Sequence, residues 1–169
     1  MRPAEADIGA LLEALAAAHV DHIVVGGVAA VLHGAPLPTR DLDIVPSPEP
    51  ANLDRLFALL MGIDAIAREV GTRELPVRRD WLDGSGQVLL RTSLGPLDIL
   101  LRLHDGRGHS ELLPRTVELS ADGLRVRLLD LRSLVEIKAQ TGRVRDRLSV
   151  PILVALLEAG ESAANLPED

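Results

Sequence analysis

Cysteine and tyrosine are missing from this 169-residue chain, and phenylalanine and tryptophan occur once each. Without cysteine there is no disulfide framework, no thiolate metal site and no cysteine nucleophile, so any metal must sit on oxygen or imidazole ligands. The scarcity of aromatics nearly removes the platforms on which single-stranded bases stack. No apolar run reaches the length of a membrane span. The stretch from Met1 to Ala10 carries Glu5 and Asp7 where a secretory signal would have a basic start and an apolar run. These absences predict a soluble, cytoplasmic protein with no membrane partner. Positive charge is also short: the formal net charge is −7, which argues against a general nucleic-acid coat protein working by counterion release from a broad basic surface. Lysine is the rarest cation, because 17 of the 18 basic residues are arginine and only Lys138 is not.

At 47% hydrophobic, the chain has enough apolar material for one domain with a real core, read here as residues 1–169. Ile8, Leu11, Leu12, Leu15 and Ala16 recur at helical spacing within an amphipathic helix from Pro3 to Val20. His22 to Val25 is a buried strand stopped by Gly26-Gly27, and a short helix runs from Val28 to His33. Asp41 to Val45 is a second strand and Pro50 to Met61 a helix, whereas Gly71 to Asp83 has mixed character and suggests no element. Two strands, Gln87 to Ser93 and Pro96 to Leu103, meet at Leu94-Gly95, and a helical piece follows near Ser110 to Thr116. Leu124 to Leu128 reads as one more strand, Asp130 caps a helix to about Gln140, and Pro151 opens a last helix to Glu158. The expectation is an α+β fold: a small mixed sheet flanked by helices in a core of about 1–128, a helical C-terminal part of about 129–159, and a frayed tail over 160–169.

Chemistry concentrates in Val24-Val25-Gly26-Gly27-Val28-Ala29 and in Asp41-Leu42-Asp43-Ile44, fourteen residues after Gly27. A strand ending in two glycines and opening into a helix lets a phosphate approach the backbone. Carboxylates at i and i+2 of a strand project to one side, close enough to share divalent cations. Two such ions roughly 4 Å apart are what in-line displacement at a nucleoside triphosphate requires. Farther on, Asp98 is an acid inside the otherwise apolar run Pro96-Leu97-Asp98-Ile99-Leu100, where an unpaired charge is costly to bury. Lys138 stands out as the lone lysine, a compact ammonium suited to facing a triphosphate. The five histidines, His19, His22, His33, His104 and His109, share no metal-site spacing, and Asp80 with Trp81 lines either a cleft or the core.

The Gly-Gly turn, the Asp-x-Asp pair and the later acid together resemble the nucleotidyltransferase superfamily of DNA polymerase β type. The likeness sharpens with His33-Gly34, with Thr39-Arg40-Asp41-Leu42-Asp43, with Thr92 to Asp98, with Leu134 to Lys138 and with Gly142-Arg143-Val144-Arg145-Asp146. This pattern looks like the minimal bacterial nucleotidyltransferases of the AbiEii/MenT toxin type, over roughly Asp21 to Leu153. Val144 and Arg145 depart from that type, whose last motif has proline and lysine there, leaving Lys138, Arg143 and Asp146 as the matching positions. The resemblance implies a nucleotidyltransferase fold, with Asp41, Asp43 and Asp98 as catalytic carboxylates holding two Mg²⁺. Gly26, Gly27, Lys138, Arg143 and Asp146 would bind the nucleoside triphosphate substrate. It further implies transfer to the 3′ end of tRNA, a toxin role with a cognate antitoxin partner, and Thr39 as a position for regulatory phosphorylation; alternatively, Thr39 only bonds the backbone of its turn. Lincosamide and aminoglycoside nucleotidyltransferases share the same core, so a small hydroxylated acceptor is the alternative, and a non-catalytic, antitoxin-like binding partner is the rival from outside the enzymes. Charge placement bears on the acceptor, since the segment from Arg125 to Arg147 carries a local +4 in an otherwise acidic chain. An RNA acceptor would need such an arginine strip beside the cleft.

Overall fold

The computed structural model describes residues 2–68 and 74–164. Among these residues, seven strands form one mixed sheet: β1 (His22–Val25), β2 (Leu42–Pro46), β3 (Ile66–Ala67), β4 (Gln87–Thr92), β5 (Gly95–Leu100), β6 (Thr116–Ala121) and β7 (Leu124–Leu129), in the order β3-β4-β5-β2-β1-β7-β6. Among these, β1 runs antiparallel to β2 and parallel to β7, while β2 and β5 are parallel. The central strands are built from Ile23, Val24, Leu42, Ile44, Leu97 and Ile99, all fully buried, as expected for β-branched and leucine side chains covered on both faces.

Among the described residues, six helices flank the sheet: α1 (Ile8–Ala17), α2 (Gly26–Leu32), α3 (Pro50–Gly62), α4 (His109–Leu112), α5 (Leu131–Gln140) and α6 (Val144–Ala164). Helix α1 is shorter than its periodicity suggests, because Asp7 caps it by accepting from the Ala10 amide at 3.0 Å. Leu11, Leu12 and Leu15 of α1 and Leu53, Leu56 and Leu60 of α3 join the main core. A satellite cluster of Ala30, Ala35 and Leu153, edged by Leu131, Val135 and Leu156, attaches α5 and α6 to α2.

Beyond the bounds of individual elements, the structure departs from the sequence reading in four further places. Strand β6 is an edge strand with Val117 and Leu119 partly exposed, so its pattern lacks a clear buried face. Strand β3 has two residues, too few to leave a periodic signal. The stretch read as mixed contains a 3-10 turn at Arg79–Asp83, and its first residues, 71–73, lie outside the described residues. Finally, Pro151 does not open the last helix but sits inside α6, which starts at Val144 and continues to Ala164. Proline lacks one interior amide donor and leaves the preceding turn without that bond, yet a helix can continue through it. The proposed frayed tail is therefore helical as far as Ala164, and its last five residues lie outside the described ones. Among the described residues, no helix is long and apolar enough to cross a membrane.

Candidate active site

Strand register assembles the acidic side of a cleft. Asp43 lies opposite Val25 in the β1–β2 pairing and beside Asp98 in the parallel β2–β5 pairing. Asp41 immediately precedes β2, two residues from Asp43, and so projects to the same side. Each of the three offers a carboxylate oxygen, and these oxygens all lie within 4.8 Å of one another. Asp43 and Asp98 sit on strands between fully buried neighbours, which limits how far the acids can move apart to relieve their repulsion. Burial first, then the charges of Asp41 and Asp98, push the Asp43 carboxyl up to about 7. The donor set, all hard carboxylate oxygen, suits Mg²⁺.

The Gly26-Gly27 pair has a local reason visible in the packing. Gly26 has φ of +66°, and a Cβ there would stand 2.2 Å from Asp43 Oδ2. A Cβ on Gly27 would stand 2.9 Å from Thr39 Oγ1. The glycines thus let the first turn of α2 lie directly against Asp43 and Thr39, and α2 begins with no side-chain cap on its amides. Thr39 is half-buried and its hydroxyl donates to the Asp41 carbonyl at 3.2 Å.

Arg68, which sequence reasoning missed, completes this wall. One guanidinium nitrogen donates to Asp98 Oδ1 and another lies 3.7 Å from Asp41 Oδ2. It arrives from the end of the two-residue β3, where its amide donates to the Leu89 carbonyl at 2.8 Å. No motif flanks it, so only the antiparallel β3–β4 pairing, itself silent in the sequence, reveals its position.

The opposite wall comes from α5 and α6. Lys138 lines the cleft, and its ammonium donates to Asp146 Oδ1 at 3.1 Å, with both side chains about 15% exposed. Burial pushes the Asp146 carboxyl up, but hydrogen bonds from Thr141 and Lys138 outweigh it and hold Asp146 below the ordinary carboxylate range. Arg143 lines the cleft as expected. Arg145, the residue that departs from the toxin pattern, lines it too and reaches across to donate to the Pro38 carbonyl at 3.1 Å. The sequence contained a signal for it, its place in the basic strip, which the mismatch to the family pattern had set aside. The cleft has a volume of about 600 Å³, and Leu134, Ile137, Leu148 and Ile152 give it an aliphatic side.

The basic strip itself is not gathered at the cleft. Lys138, Arg143 and Arg145 border it, whereas Arg125, Arg127, Arg132 and Arg147 do not. Arg127 pairs with Asp21 and Glu118, and Arg132 pairs with Glu161. Strand β7 runs toward the cleft, so Arg125 lies four residues, roughly 13 Å, before the Leu129 end that meets it. His33 serves the fold, with Nε2 2.8 Å from the Leu129 carbonyl, and Trp81 packs against the main core instead of lining the cleft. Asp80 is likewise absent from the cleft and pairs with Arg78 at 2.6 Å.

No family model matches the sequence, and no curated protein matches it. Solved structures do match the fold. A lincosamide antibiotic adenylyltransferase, LnuA, crystallised with lincomycin, superposes with a TM-score of 0.60 at 14% identity, over 91% of this chain and 99% of its own. The antibiotic-resistance factor ANT(2'')-Ia does so with a TM-score of 0.52 at 15% identity, over 93% and 90%. For a putative nucleotidyltransferase from Thermotoga maritima the TM-score is 0.53 at 16% identity, over 88% and 90%. By these matches along nearly its whole length, the chain has the nucleotidyltransferase fold.

Proposed function

We propose that this protein is a metal-dependent nucleotidyltransferase that moves a nucleoside monophosphate from a nucleoside triphosphate to an acceptor hydroxyl. The observation that carries this reading is the convergence of Asp41, Asp43 and Asp98 beside the Gly26-Gly27 turn. Asp41, Asp43 and Asp98 would hold two Mg²⁺, which when bound stabilise charge on the attacking and leaving oxygens. The chain's own groups supply the rest. The uncapped amides at the start of α2 face the phosphates, and Lys138, held in place by Asp146, neutralises charge as pyrophosphate departs. Asp98, beside Asp43 in the parallel strand pairing, takes the proton of the incoming hydroxyl.

For the acceptor, the cleft favours a small hydroxylated molecule. Its aliphatic side and its volume of about 600 Å³ suit a compact organic acceptor, in keeping with one fold neighbour named as a lincosamide adenylyltransferase and another named as an antibiotic-resistance factor. A second reading, transfer to the 3′ end of tRNA by a toxin controlled by an antitoxin, rests on the motif resemblance and on Arg143 and Arg145 at the cleft mouth. Incubation of the purified protein with each labelled nucleoside triphosphate and Mg²⁺ decides among these, with total tRNA, lincomycin and an aminoglycoside offered separately. Label on the small acceptor supports the first reading and label on tRNA the second. No label on any acceptor, and no pyrophosphate release, refutes nucleotidyl transfer.

A further inference from the structure

Two carboxylates of the trio are already engaged by a cation that belongs to the chain. Arg68 donates to Asp98 and lies 3.7 Å from Asp41, and its side chain is 22% exposed. Asp98 is 10% exposed on its side chain, deep enough that ionisation without a partner would be costly. We propose that Arg68 is the built-in counter-ion of the trio: it holds Asp98 and Asp41 in their converging pose until divalent cations bind, and it yields those oxygens to them. The inference rests on the trio being a metal site, as set out under the proposed function.

The chemistry behind the exchange is direct. A guanidinium is always charged and spans two carboxylates with its fork, so it can bridge acids that would otherwise repel each other. The same oxygens, Asp98 Oδ1 and Asp41 Oδ2, cannot satisfy both an arginine and a divalent ion at full strength. Anchorage favours a swing of the side chain alone, because the Arg68 amide stays bonded to Leu89 and Ala67 pairs with Leu90. Arg68 acts through Asp41 and Asp98 and is a positioning residue. It lowers the cost of keeping three acids together, and in return it weakens the grip on metal.

The test uses the whole protein, without nucleotide, at pH 8. Mn²⁺ is titrated and free Mn²⁺ is read by electron paramagnetic resonance, while thermal unfolding is followed with and without saturating Mn²⁺. Arg68→Gln should bind Mn²⁺ about tenfold tighter, since one positive charge beside the site is gone. The same variant should unfold several degrees lower than the native protein without metal, and the gap should close when Mn²⁺ saturates the trio. Arg68→Lys keeps a charge but loses the fork; it should fall between the two in Mn²⁺ affinity, and it carries the test if the glutamine variant does not fold. Unchanged or weaker Mn²⁺ binding in both variants, or a melting deficit that Mn²⁺ leaves untouched, overturns the proposal. If the native protein binds no Mn²⁺, the metal-site reading itself fails. If it binds Mn²⁺ and loses it in Asp43→Asn, while the Arg68 variants bind no tighter, only the role of Arg68 fails.

Discussion

The acidic wall of the cleft carries its charges between fully buried neighbours, Leu42 and Ile44 beside Asp43, and Leu97 and Ile99 beside Asp98, whereas the basic wall stands on α5, which reaches the main core only through Leu134 and Ile137, and on α6, which is held by a small satellite cluster. Strand pairing on both sides fixes the first wall residue by residue. On the second, α6 buries only Ser149 and Leu153, and leaves Val144 63% and Leu148 71% exposed. Such a division places the groups that must stay aligned on the stiff element and the groups that must accommodate a substrate on the looser one. Breaking the stiff wall should therefore have the largest effect. Asp41→Ala or Asp43→Ala should cut transfer on the order of a thousandfold or more by loss of bound metal, with folding intact because mutual repulsion is relieved. Asp98→Ala should be equally inactive but less stable, since it removes a carboxylate to which Arg68 donates. Label-transfer assays with melting curves check both, and an active Asp43→Ala protein would refute the assignment.

The stiff wall also stores a pH-dependent cost. The Asp43 carboxyl titrates at about 7 in the native state, against 3.8 as its ordinary value, so the folded protein holds this proton more tightly than the unfolded chain. Stability from this group is therefore highest below about pH 4, falls as pH rises from 4 to 7, and stays at its lowest above 7, where native Asp43 is ionised among its acidic neighbours. Fully expressed, the difference is on the order of a few kcal/mol. Asp43→Asn abolishes it. The variant should melt close to the native protein near pH 4 and well above it at pH 8, in metal-free buffer followed by circular dichroism. A melting difference independent of pH would contradict the shifted carboxyl.

The same contrast explains what the sequence revealed. The acidic wall was legible because its signals are local: a Gly-Gly turn at a strand end, acids at i and i+2, and an acid inside the apolar run of β5. Their convergence follows from the pairing Asp43↔Asp98, which the motif implies once the strands are parallel. Arg68 was illegible because it enters from a two-residue strand with no periodicity. The basic strip misled for a different reason. A run of charge in sequence says nothing of where a strand ends, and β7 carries Arg125 and Arg127 away from the cleft while α5 and α6 bring Lys138, Arg143 and Arg145 to it.

On the looser wall, the proposed mechanism puts the Lys138 ammonium at the phosphates, where charge grows as pyrophosphate leaves, so Lys138→Ala should slow transfer on the order of a hundredfold. Asp146→Asn should recover part of that activity relative to the lysine variant, since it leaves the ammonium in place and loosens only its aim. Steady-state kinetics with varied nucleotide separates them. A Lys138→Ala enzyme with native kinetics would remove the lysine from the mechanism.

The smallest effect belongs to Arg145, and it bears on which acceptor the looser wall serves. Its guanidinium spans the cleft mouth to the Pro38 carbonyl, next to Thr39 and two residues short of Arg40. One exposed hydrogen bond to a neutral carbonyl contributes on the order of 1 kcal/mol, so Arg145→Ala should leave folding and turnover with a small acceptor within a few-fold of native. Transfer to tRNA would respond differently. With four of the seven strip residues away from the cleft, Arg143 and Arg145 would carry most of the phosphate contact there, and Arg145→Glu should raise the Michaelis constant for tRNA steeply, more so at low salt, with that for the nucleotide nearly unchanged. Parallel kinetics on both acceptors across a salt series reads the difference. A salt-insensitive reaction that tolerates Arg145→Glu assigns the helix wall to a compact acceptor, and a steep salt slope that flattens in the variant assigns it to RNA.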